Sequence, residues 1–302
     1  MVVTKTKQKQ LNKEWYSLFE HEYVRTNGVN LHIVKKGNGP LIIFLHGFPE
    51  FWYSYRHQLL DFSKDFTAVA IDNRGYNESD KPVGVDSYRL EELVKDVKGI
   101  IEYLGFEKCT LVAHDLGGII AWQLAYSHPE ILDNLIILNC PHPMKYSREL
   151  KNPTQIFKSW YIYFFQLPII PEFLISINNF QGIEEIFLKI TEAKHKFEKS
   201  DLEKYRKMAS KENGITSMLN YYRNVFKFLP LLEKSNMNKK LNVPTLIIWG
   251  EDDKVLSKSL TYDMGEFLSN FEIKYIPDCS HWVQQEEPEL VNQYIREFLN
   301  TK

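Results

Sequence analysis

Short apolar runs alternate with amphipathic stretches along most of this chain, and this alternation restricts the fold more than any other feature. Between residues 90 and 104, five apolar side chains recur every three or four positions and share one face of a helix. Strands are predicted in the runs 23–25, 31–34, 41–45, 67–71, 109–113 and 135–138, and a second helix at 117–126. Strands that alternate with helices indicate an α/β fold, a mostly parallel sheet with helices on both faces.

The alternation stops at residue 144, and no clear strand is predicted again before residue 241. It then resumes with strands at 244–249 and 271–276 and helices at 260–268 and 290–298. A Gly-Asn-Gly sequence at 37–39 predicts a turn between the second and third strands. The predicted domains are a polar lead at 1–20, a core formed by 21–143 together with 241–302, and a helical cap inserted at 144–240.

Composition excludes several classes of protein. With 44% hydrophobic and 25% charged residues among 302, the chain can bury a sizeable core and is neither disordered nor fibrous. A net charge of −2 gives no general attraction to nucleic acid or to anionic lipid. Aromatic residues make up 14% of the chain, which favours either a large core or a ring-lined cavity. Composition alone does not separate these two interpretations.

The sequence shows no sign of a membrane span, a secretory signal or a metal site. Its longest mostly apolar stretch, residues 160–175, is shorter than the roughly 20 residues of a spanning helix and is interrupted by Pro168 and Pro171. The basic start has no apolar segment behind it. Three widely spaced cysteines fit neither a disulfide framework nor a zinc site. We therefore expect a cytoplasmic protein without a bound metal.

A candidate nucleophile follows a predicted buried strand, at the edge where parallel sheets bind ligands. Asp115 lies between the strand 109–113 and a helix, with Ala113 and Gly117 two positions away on either side. Small residues at those positions are typical of a nucleophile elbow, a tight turn that pushes its central side chain out of the sheet. Aspartate occupies the position of the more usual serine. The alternative is an aspartate that caps the following helix.

A second turn follows the strand at 41–45, where residues 46–50 read His-Gly-Phe-Pro-Glu. Glycine and proline favour a sharp turn here, with a cis bond between Phe48 and Pro49. Such a turn would direct the Phe48 backbone N–H at the nucleophile as half of an oxyanion hole, and the Leu116 N–H would supply the other half. The alternative is an ordinary loop between a strand and a helix.

Two further polar positions follow the last two predicted strands. Three acids occupy positions 251–253, and each of them is placed to orient a histidine. Among the nine histidines, His281 follows the last strand and precedes the last helix. The order of nucleophile, acid and histidine is that of the α/β-hydrolases, with each member at the end of a separate strand. Surface acids and an incidental histidine are the alternative.

From about residue 23 to residue 299 the chain resembles the epoxide hydrolase branch of the α/β-hydrolases. Residues 46–56 resemble the oxyanion loop of that branch almost residue for residue, and residues 72–82 resemble its loop after the fourth strand. The insertion resembles the helical cap of the family and is most similar to that of the animal epoxide hydrolases 3 and 4. Within the acidic loop, the resemblance implies that Asp253 orients His281.

The resemblance also implies two cap tyrosines that donate hydrogen bonds to the epoxide oxygen. Residues 220–224, Asn-Tyr-Tyr-Arg-Asn, match a motif whose second aromatic residue is one donor, here Tyr222. The other lies within the aromatic run 160–166, where Tyr161 fits the family spacing best and Tyr163 is the reserve. Core packing is the alternative for these tyrosines. The remaining residues predicted to line the substrate pocket are His46, Pro49, Trp160, Phe165 and Trp282.

The activity implied by the resemblance is the hydrolysis of apolar epoxides to vicinal diols without a cofactor. Asp115 attacks an epoxide carbon and forms an alkyl ester, and His281, oriented by Asp253, activates the water that hydrolyses this ester. The expected partners are the epoxide and water, and not nucleic acid. The expected assembly is a monomer or a homodimer.

Dehalogenases with the same triad are the main alternative, and a non-catalytic binder of an apolar ligand is the second. Haloalkane dehalogenases typically have Asn and Trp where this chain has Phe48 and Leu116. Fluoroacetate dehalogenases have arginines at the positions of Leu116 and Ile119, so a substrate carboxylate would be buried here without a cationic partner. Epoxide hydrolases often have Trp after the nucleophile, and Leu116 in its place reshapes the pocket wall.

Overall fold

The fold is organised around one sheet of eight strands. The computed structural model describes residues 15–150, 152–191 and 194–300. The strands within them are β1 Glu20–Thr26, β2 Val29–Lys36, β3 Leu41–Leu45, β4 Thr67–Ile71, β5 Cys109–His114, β6 Leu132–Leu138, β7 Thr245–Gly250 and β8 Phe271–Ile276. Their order across the sheet is β1-β2-β4-β3-β5-β6-β7-β8. The pairs β1–β2 and β2–β4 are antiparallel, and the other neighbouring pairs are parallel, as predicted for an α/β fold.

Eleven α-helices of the described residues connect the strands. They are α1 Arg56–Phe62, α2 Leu90–Tyr103, α3 Leu116–Ser127, α4 Pro143–Glu149, α5 Pro153–Lys158, α6 Trp160–Phe164, α7 Ile170–Ile190, α8 Lys199–Ala209, α9 Gly214–Phe228, α10 Val283–Glu286 and α11 Pro288–Asn300. Helix α7 is divided by a kink, because the backbone leaves the helical conformation at residues 177–180. Helix α2 buries the apolar face that its periodicity predicts.

The central strands are buried along their whole length, which positions the candidate site. All side chains of β3, β5 and β7 are buried. Continuous runs of Val, Ile and Leu are typical of parallel strands that are covered on both faces. Because β3 and the four strands from β5 to β8 run parallel, their carboxyl ends lie along one edge of the sheet. The turns that carry the candidate residues follow β3, β5, β7 and β8 at this edge.

The helix predicted at 260–268 is wrong. The segment forms two 3₁₀ turns, Lys258–Thr261 and Met264–Glu266. Between them, Asp263 has a φ of 59°, a left-handed conformation that interrupts a right-handed helix. Leu268 instead forms a single bridge to Leu241 beside the sheet.

The chain between β6 and β7 supplies the helices α4 to α9 and none of the eight strands. We call residues 144–240 the cap, and its status as a separate domain stays a prediction. Strands β6 and β7 pair directly, so the chain leaves and re-enters the sheet at neighbouring strands. A buried ion pair of 3.1 Å between Arg56 of α1 and Asp201 of α8 fastens the cap to the core.

Three further predictions concern the ends and surroundings of the chain. Most of the predicted polar lead lies outside the described residues, which begin at Trp15. No helix in the described part of the chain combines the length and the apolar character needed to cross a membrane. The cytoplasmic location and the monomeric or homodimeric assembly stay predictions.

Candidate active site

Asp115 occupies a sharp turn between β5 and α3. Its backbone has φ 49° and ψ −120°, a conformation that non-glycine residues rarely adopt. The neighbouring backbone passes so close that a Cβ on Gly47 would overlap the Asp115 side chain, and one on Gly117 would overlap the Leu45 carbonyl. Among the described residues, the Asp115 carboxylate makes no capping hydrogen bond to α3. The geometry therefore fits the nucleophile elbow and excludes the capping alternative.

The turn after β3 directs a backbone donor at this carboxylate. The Phe48 N–H donates to Asp115 Oδ1 over 2.9 Å, and the Phe48–Pro49 bond is cis, as predicted. Leu116 is the first residue of α3, where backbone N–H groups have no acceptor within the helix. The Phe48 N–H thus contacts the Asp115 carboxylate, and the role of the Phe48 and Leu116 N–H groups as an oxyanion hole stays a prediction.

His281 lies between two carboxylates. Its Nδ1 is 2.7 Å from Asp253 Oδ2, and its Nε2 is 3.6 Å from Asp115 Oδ2. The other acids of the loop face elsewhere, since Glu251 pairs with Lys258 and Asp252 is exposed. The structure therefore brings together the three residues that the sequence placed at separate strand ends.

Hydrogen bonds hold Asp253 in this orientation. Its Oδ1 accepts from the backbone N–H groups of Val255 and Leu256, at 2.7 and 2.9 Å. Its Oδ2 accepts from Asn139 Nδ2 at 2.7 Å, in addition to His281. A carboxylate with these donors is fixed as an acceptor, so it orients the imidazole and stabilises its charged form.

The charges of the triad depend on one another. Burial by itself lowers the pKa of His281, but the carboxylates of Asp253 and Asp115 raise it to about 10. Burial by itself raises the pKa of Asp115 and of Asp253, yet the hydrogen bonds and the charge of His281 lower both. In the free protein at neutral pH the site therefore holds an imidazolium between two carboxylates.

A cavity of about 510 Å³ opens above Asp115, between the sheet edge and the cap. Apolar residues of the core and of the cap make up much of its wall, including Leu90, Leu93, Leu116, Ile119, Ile120, Ile162, Val225, Phe228, Leu229 and Leu256. The charged residues Arg89, Glu91, Glu92 and Lys227 also line it. Glu92 is half-buried and pairs with Lys95, and the other three are largely exposed to solvent. The cavity is suited to an uncharged ligand that is mainly apolar.

The two predicted tyrosines line this cavity together with Asp115. The rings of Tyr161 and Tyr222 meet edge to face, with centroids 5.8 Å apart. Burial raises the pKa of both phenols, and the negative charge of Asp115 adds to the effect, so both stay protonated. Neither hydroxyl has a hydrogen-bond partner among the described residues. Two protonated donors therefore remain available to a bound oxygen atom.

The predicted pocket wall needs correction at its aromatic members. Trp160 is 62% exposed and packs against Phe164, and the reserve Tyr163 is 48% exposed and packs against Phe226. Both therefore lie on the outer side of α6, because neighbouring residues of a helix point about 100° apart. Phe165 is buried against Phe48, Tyr161 and Tyr222, in contact with site residues but not on the cavity wall.

The other three residues predicted for the wall are also absent from it. His46 is fully buried, and its ring nitrogens interact with the Gly47 carbonyl and the Asn73 N–H. Pro49 is buried in the turn after β3. Trp282 packs against the rings of His281 and Phe187. These side chains support the loops of the site.

Sequence reasoning missed several residues that shape the site. Asn139 directly follows β6 and has a positive φ of 38°, so the same strand-end rule that identified Asp115 could have found it. Its side chain joins Asp253 to the Gly250 N–H. Tyr146 lines the cavity, and no pattern in the sequence marks it.

A buried pair beside the elbow was also missed. Glu50 Oε2 is 2.6 Å from His114 Nδ1, and His114 Nε2 is 2.8 Å from the His281 carbonyl. The His281 carbonyl can only accept, so His114 Nε2 donates to it. Glu50 also accepts from the Gly47 N–H. The pair thus ties the oxyanion loop to the segment that carries His281.

The described residues contain no group of three or more His, Cys, Asp or Glu side chains that could hold a metal ion. The three cysteines are free and buried, and burial raises the pKa of the Cys140 thiol beside Asp115 well above its usual value. The chemistry open to this site is therefore nucleophilic attack by Asp115, proton transfer by His281 and hydrogen bonding by the two phenols.

Comparison with known proteins gives a consistent result. Residues 40–288 match a family model described as alpha/beta hydrolase fold. Mouse epoxide hydrolase 4 is 41% identical over 293 residues, which cover 94% of this chain and 80% of that protein. Epoxide hydrolase 3 of Xenopus tropicalis is 39% identical over 293 residues, which cover 93% of this chain and 78% of that protein. The crystal structure of a point mutant of a Bacillus megaterium epoxide hydrolase is 40% identical, with a TM-score of 0.86, and the match covers 92% of this chain and 100% of that one.

Proposed function

We propose that this chain, which belongs to the α/β-hydrolase fold family and within it to the epoxide hydrolases, converts apolar epoxides to vicinal diols through an ester of Asp115. One observation supports this proposal above the others. A single cavity contains the Asp115 carboxylate and the two phenols of Tyr161 and Tyr222, which have no partner among the described residues. A carboxylate nucleophile and donors for a departing oxygen are what epoxide opening requires.

In the first step, a carboxylate oxygen of Asp115 forms a bond to an epoxide carbon. The bond between that carbon and the ring oxygen breaks, and its electron pair stays on the ring oxygen. Tyr161 and Tyr222 donate hydrogen bonds to this oxygen as its negative charge grows, and one of them transfers a proton to it. The product of the step is a hydroxyalkyl ester of Asp115.

In the second step, the ester is hydrolysed by water. His281 Nε2 removes a proton from the water molecule, whose oxygen attacks the ester carbonyl carbon of Asp115. The Phe48 and Leu116 N–H groups hold the oxyanion of the tetrahedral intermediate. Collapse of this intermediate releases the diol and restores the carboxylate, and His281 is again in its protonated form. The proton that His281 gives up before it activates water replaces the one that the phenol transferred to the epoxide oxygen.

Ester formation itself prepares His281 to act as a base. The Asp115 carboxylate is one of the two groups that raise the pKa of His281, and esterification removes its charge. Burial, which lowers this pKa, persists in the ester. The imidazolium therefore becomes a stronger acid after the first step and releases the proton that it must lose before it can activate water.

Replacing His281 with Gln should trap the ester and thereby test the function. The first step does not need the imidazole as a base, so the variant should still react with styrene oxide while hydrolysis slows by roughly 10²–10⁴-fold. Mass spectrometry of the intact protein should show an increase equal to the whole epoxide, and peptide mapping should place it on Asp115.

Organohalides are the matched comparison for this experiment. The proposal is overturned if adducts form only with a halide substrate and with loss of halide, which would favour a dehalogenase. The proposal is also overturned if neither epoxides nor organohalides give an adduct and the unmodified protein turns over none of these compounds. That result would favour a non-catalytic binder of an apolar ligand.

The rate of ester breakdown should depend on pH with a midpoint below 10. In the free protein the pKa of His281 is about 10, and loss of the Asp115 charge lowers it in the ester. The breakdown rate should therefore rise with pH as His281 loses its proton and then level off. Single-turnover measurements with a rapidly formed ester give this profile.

The Asp253→Asn variant is the control for this profile, because Asp253 raises the pKa of His281. Its midpoint should move to lower pH, while the limiting rate falls. A midpoint at or above 10 in the unmodified protein, or an upward shift in the variant, would contradict the assigned charges.

A further inference from the structure

The helix that carries Tyr161 is too short to hold its own orientation. Helix α6 spans the five residues Trp160–Phe164, and isolated helices of this length are not stable in water. Its outer side is uncovered, since Trp160 and Tyr163 are exposed. Besides the packing of the Tyr161 ring against Phe165 and Tyr222, the position of its phenol therefore depends on contacts at the two ends of α6.

At the first end, the side chain of Gln155 connects α6 to the loop of the triad acid. Ser159 lies directly before α6. Its Oγ forms a hydrogen bond with the Tyr146 hydroxyl at 2.8 Å and accepts another from Gln155 Nε2 at 3.0 Å. Gln155 is 1% exposed. Its Nε2 also donates to the Val255 carbonyl, and its Oε1 accepts from the Ser257 N–H, both at 3.3 Å.

The Val255 residue makes this connection relevant to the triad. Its carbonyl accepts from Gln155, and its N–H donates to Asp253 Oδ1. The cap side chain and the catalytic carboxylate thus hold the same short loop. Lys158 adds a second contact, from its Nζ to the Asp253 carbonyl at 3.1 Å.

At the other end, Gln166 connects α6 to the second tyrosine. Its Nε2 donates to the Ile162 carbonyl at 2.9 Å and to the Tyr222 carbonyl at 3.0 Å. Arg223 reinforces this end, because its guanidinium donates to the Phe165 and Leu167 carbonyls at 3.2 and 3.0 Å. The spacing between the two phenols is therefore set partly through Gln166.

We propose that Gln155 and Gln166 are positioning residues that hold the Tyr161 phenol over Asp115, Gln155 against the Asp253 loop and Gln166 against Tyr222. This inference rests on the proposed function. Gln155 influences both steps of the reaction, since it contacts the α6 connection and the loop of the triad acid. Gln166 influences the first step alone, because none of its contacts lies in the Asp253 loop.

The test compares Gln155→Leu and Gln166→Leu by rapid-quench mass spectrometry with styrene oxide, which yields separate rates of ester formation and breakdown. Misplacement of a reacting group by about 1 Å can lower a rate about 10²-fold, so each variant should slow ester formation roughly 10- to 100-fold. Gln155→Leu should also slow breakdown, and Gln166→Leu should leave breakdown unchanged. Gln58→Leu is the matched control, because this buried glutamine also donates to a backbone carbonyl, that of Gln284, but among the described residues makes no hydrogen bond to α6 or to the Asp253 loop.

A double-mutant cycle with Tyr161→Phe separates positioning from general damage to the structure. If Gln155 acts through the Tyr161 hydroxyl, Gln155→Leu should slow ester formation far less in the Tyr161→Phe background than in the unmodified protein. If Gln155→Leu slows ester formation by the same factor in both backgrounds, the proposal is overturned. It is also overturned if the Gln58→Leu control slows ester formation as much as Gln155→Leu does.

Ser159→Ala keeps the proposal testable if Gln155→Leu does not fold. It interrupts the connection to α6 but leaves the Gln155 contacts to Val255 and Ser257, so ester formation should slow and breakdown should not. Unchanged ester formation in this variant would overturn the inference. A failure of the proposed function is distinguishable, because then the unmodified protein itself forms no ester.

Discussion

Asp115→Ala is expected to lower kcat for epoxide hydrolysis by roughly 10⁴-fold or more, the range seen when a covalent nucleophile is removed. The elbow presents no second group that can form the ester, since the nearby Cys140 thiol is held protonated by burial, with a pKa well above its usual value. Steady-state diol formation gives the rate, and incubation of the variant with styrene oxide followed by mass spectrometry should show no adduct.

The matched control is Asp252→Ala, which removes an exposed acid from the loop that carries the buried Asp253. Its rate should stay close to that of the unmodified protein. An Asp115→Ala variant that retains more than a hundredth of the activity would show that the nucleophile lies elsewhere.

Replacing both cap tyrosines, as Tyr161→Phe with Tyr222→Phe, should slow ester formation by roughly 10⁴-fold. Loss of one preorganised donor to a developing oxyanion costs about 10²–10³-fold, and in the proposed mechanism both phenols donate to the same oxygen. Ester breakdown should be unaffected, because it depends on His281 and Asp253. Rapid-quench mass spectrometry measures the two steps separately.

Folding should tolerate this double substitution. Neither hydroxyl has a hydrogen-bond partner among the described residues, so its removal leaves no buried group unpaired. The melting temperature should therefore change little. Tyr163→Phe is the control, because the exposed Tyr163 hydroxyl faces away from the cavity. Loss of ester formation in this control, with full activity in the double variant, would reverse the assignment of the tyrosines.

The triad could be located from sequence because its members obey a simple rule of parallel sheets. Asp115 follows a strand that reads as a mostly apolar run, and His281 follows the last predicted strand, in which apolar residues alternate with Glu272 and Lys274. The carboxyl ends of parallel strands meet at one edge. The choice of Asp253 among three adjacent acids came from the family resemblance. Its physical basis, the donors from Val255, Leu256 and Asn139, depends on a local turn and a distant strand end.

The cavity wall was predictable only in part. The resemblance singled out Tyr161 and Tyr222, which line the cavity, but the placement of Trp160 on the wall was wrong, because Trp160 lies on the exposed side of α6. The sequence of a five-residue helix does not indicate which of its sides faces inward. The helix predicted at 260–268 was wrong for a related reason. Its apolar spacing is suitable for a helix, yet the left-handed backbone at Asp263 stops it, and periodicity carries no information on that conformation.

The pairing of β6 with β7 has a consequence for how such enzymes diversify. Because β6 and β7 are parallel, the chain leaves β6 at the carboxyl edge of the sheet and crosses to the opposite edge to enter β7, so the inserted segment forms a crossover between two neighbouring strands of an otherwise complete sheet. A different helical insertion that makes the same crossover could be exchanged there without altering strand order. The residues proposed to hydrolyse the ester lie outside this segment and would be retained, whereas the phenols proposed to protonate the epoxide oxygen would be exchanged with the insertion. An exchange of this inserted segment would therefore change, at the same time, the groups that protonate the departing atom and the shape of the substrate cavity.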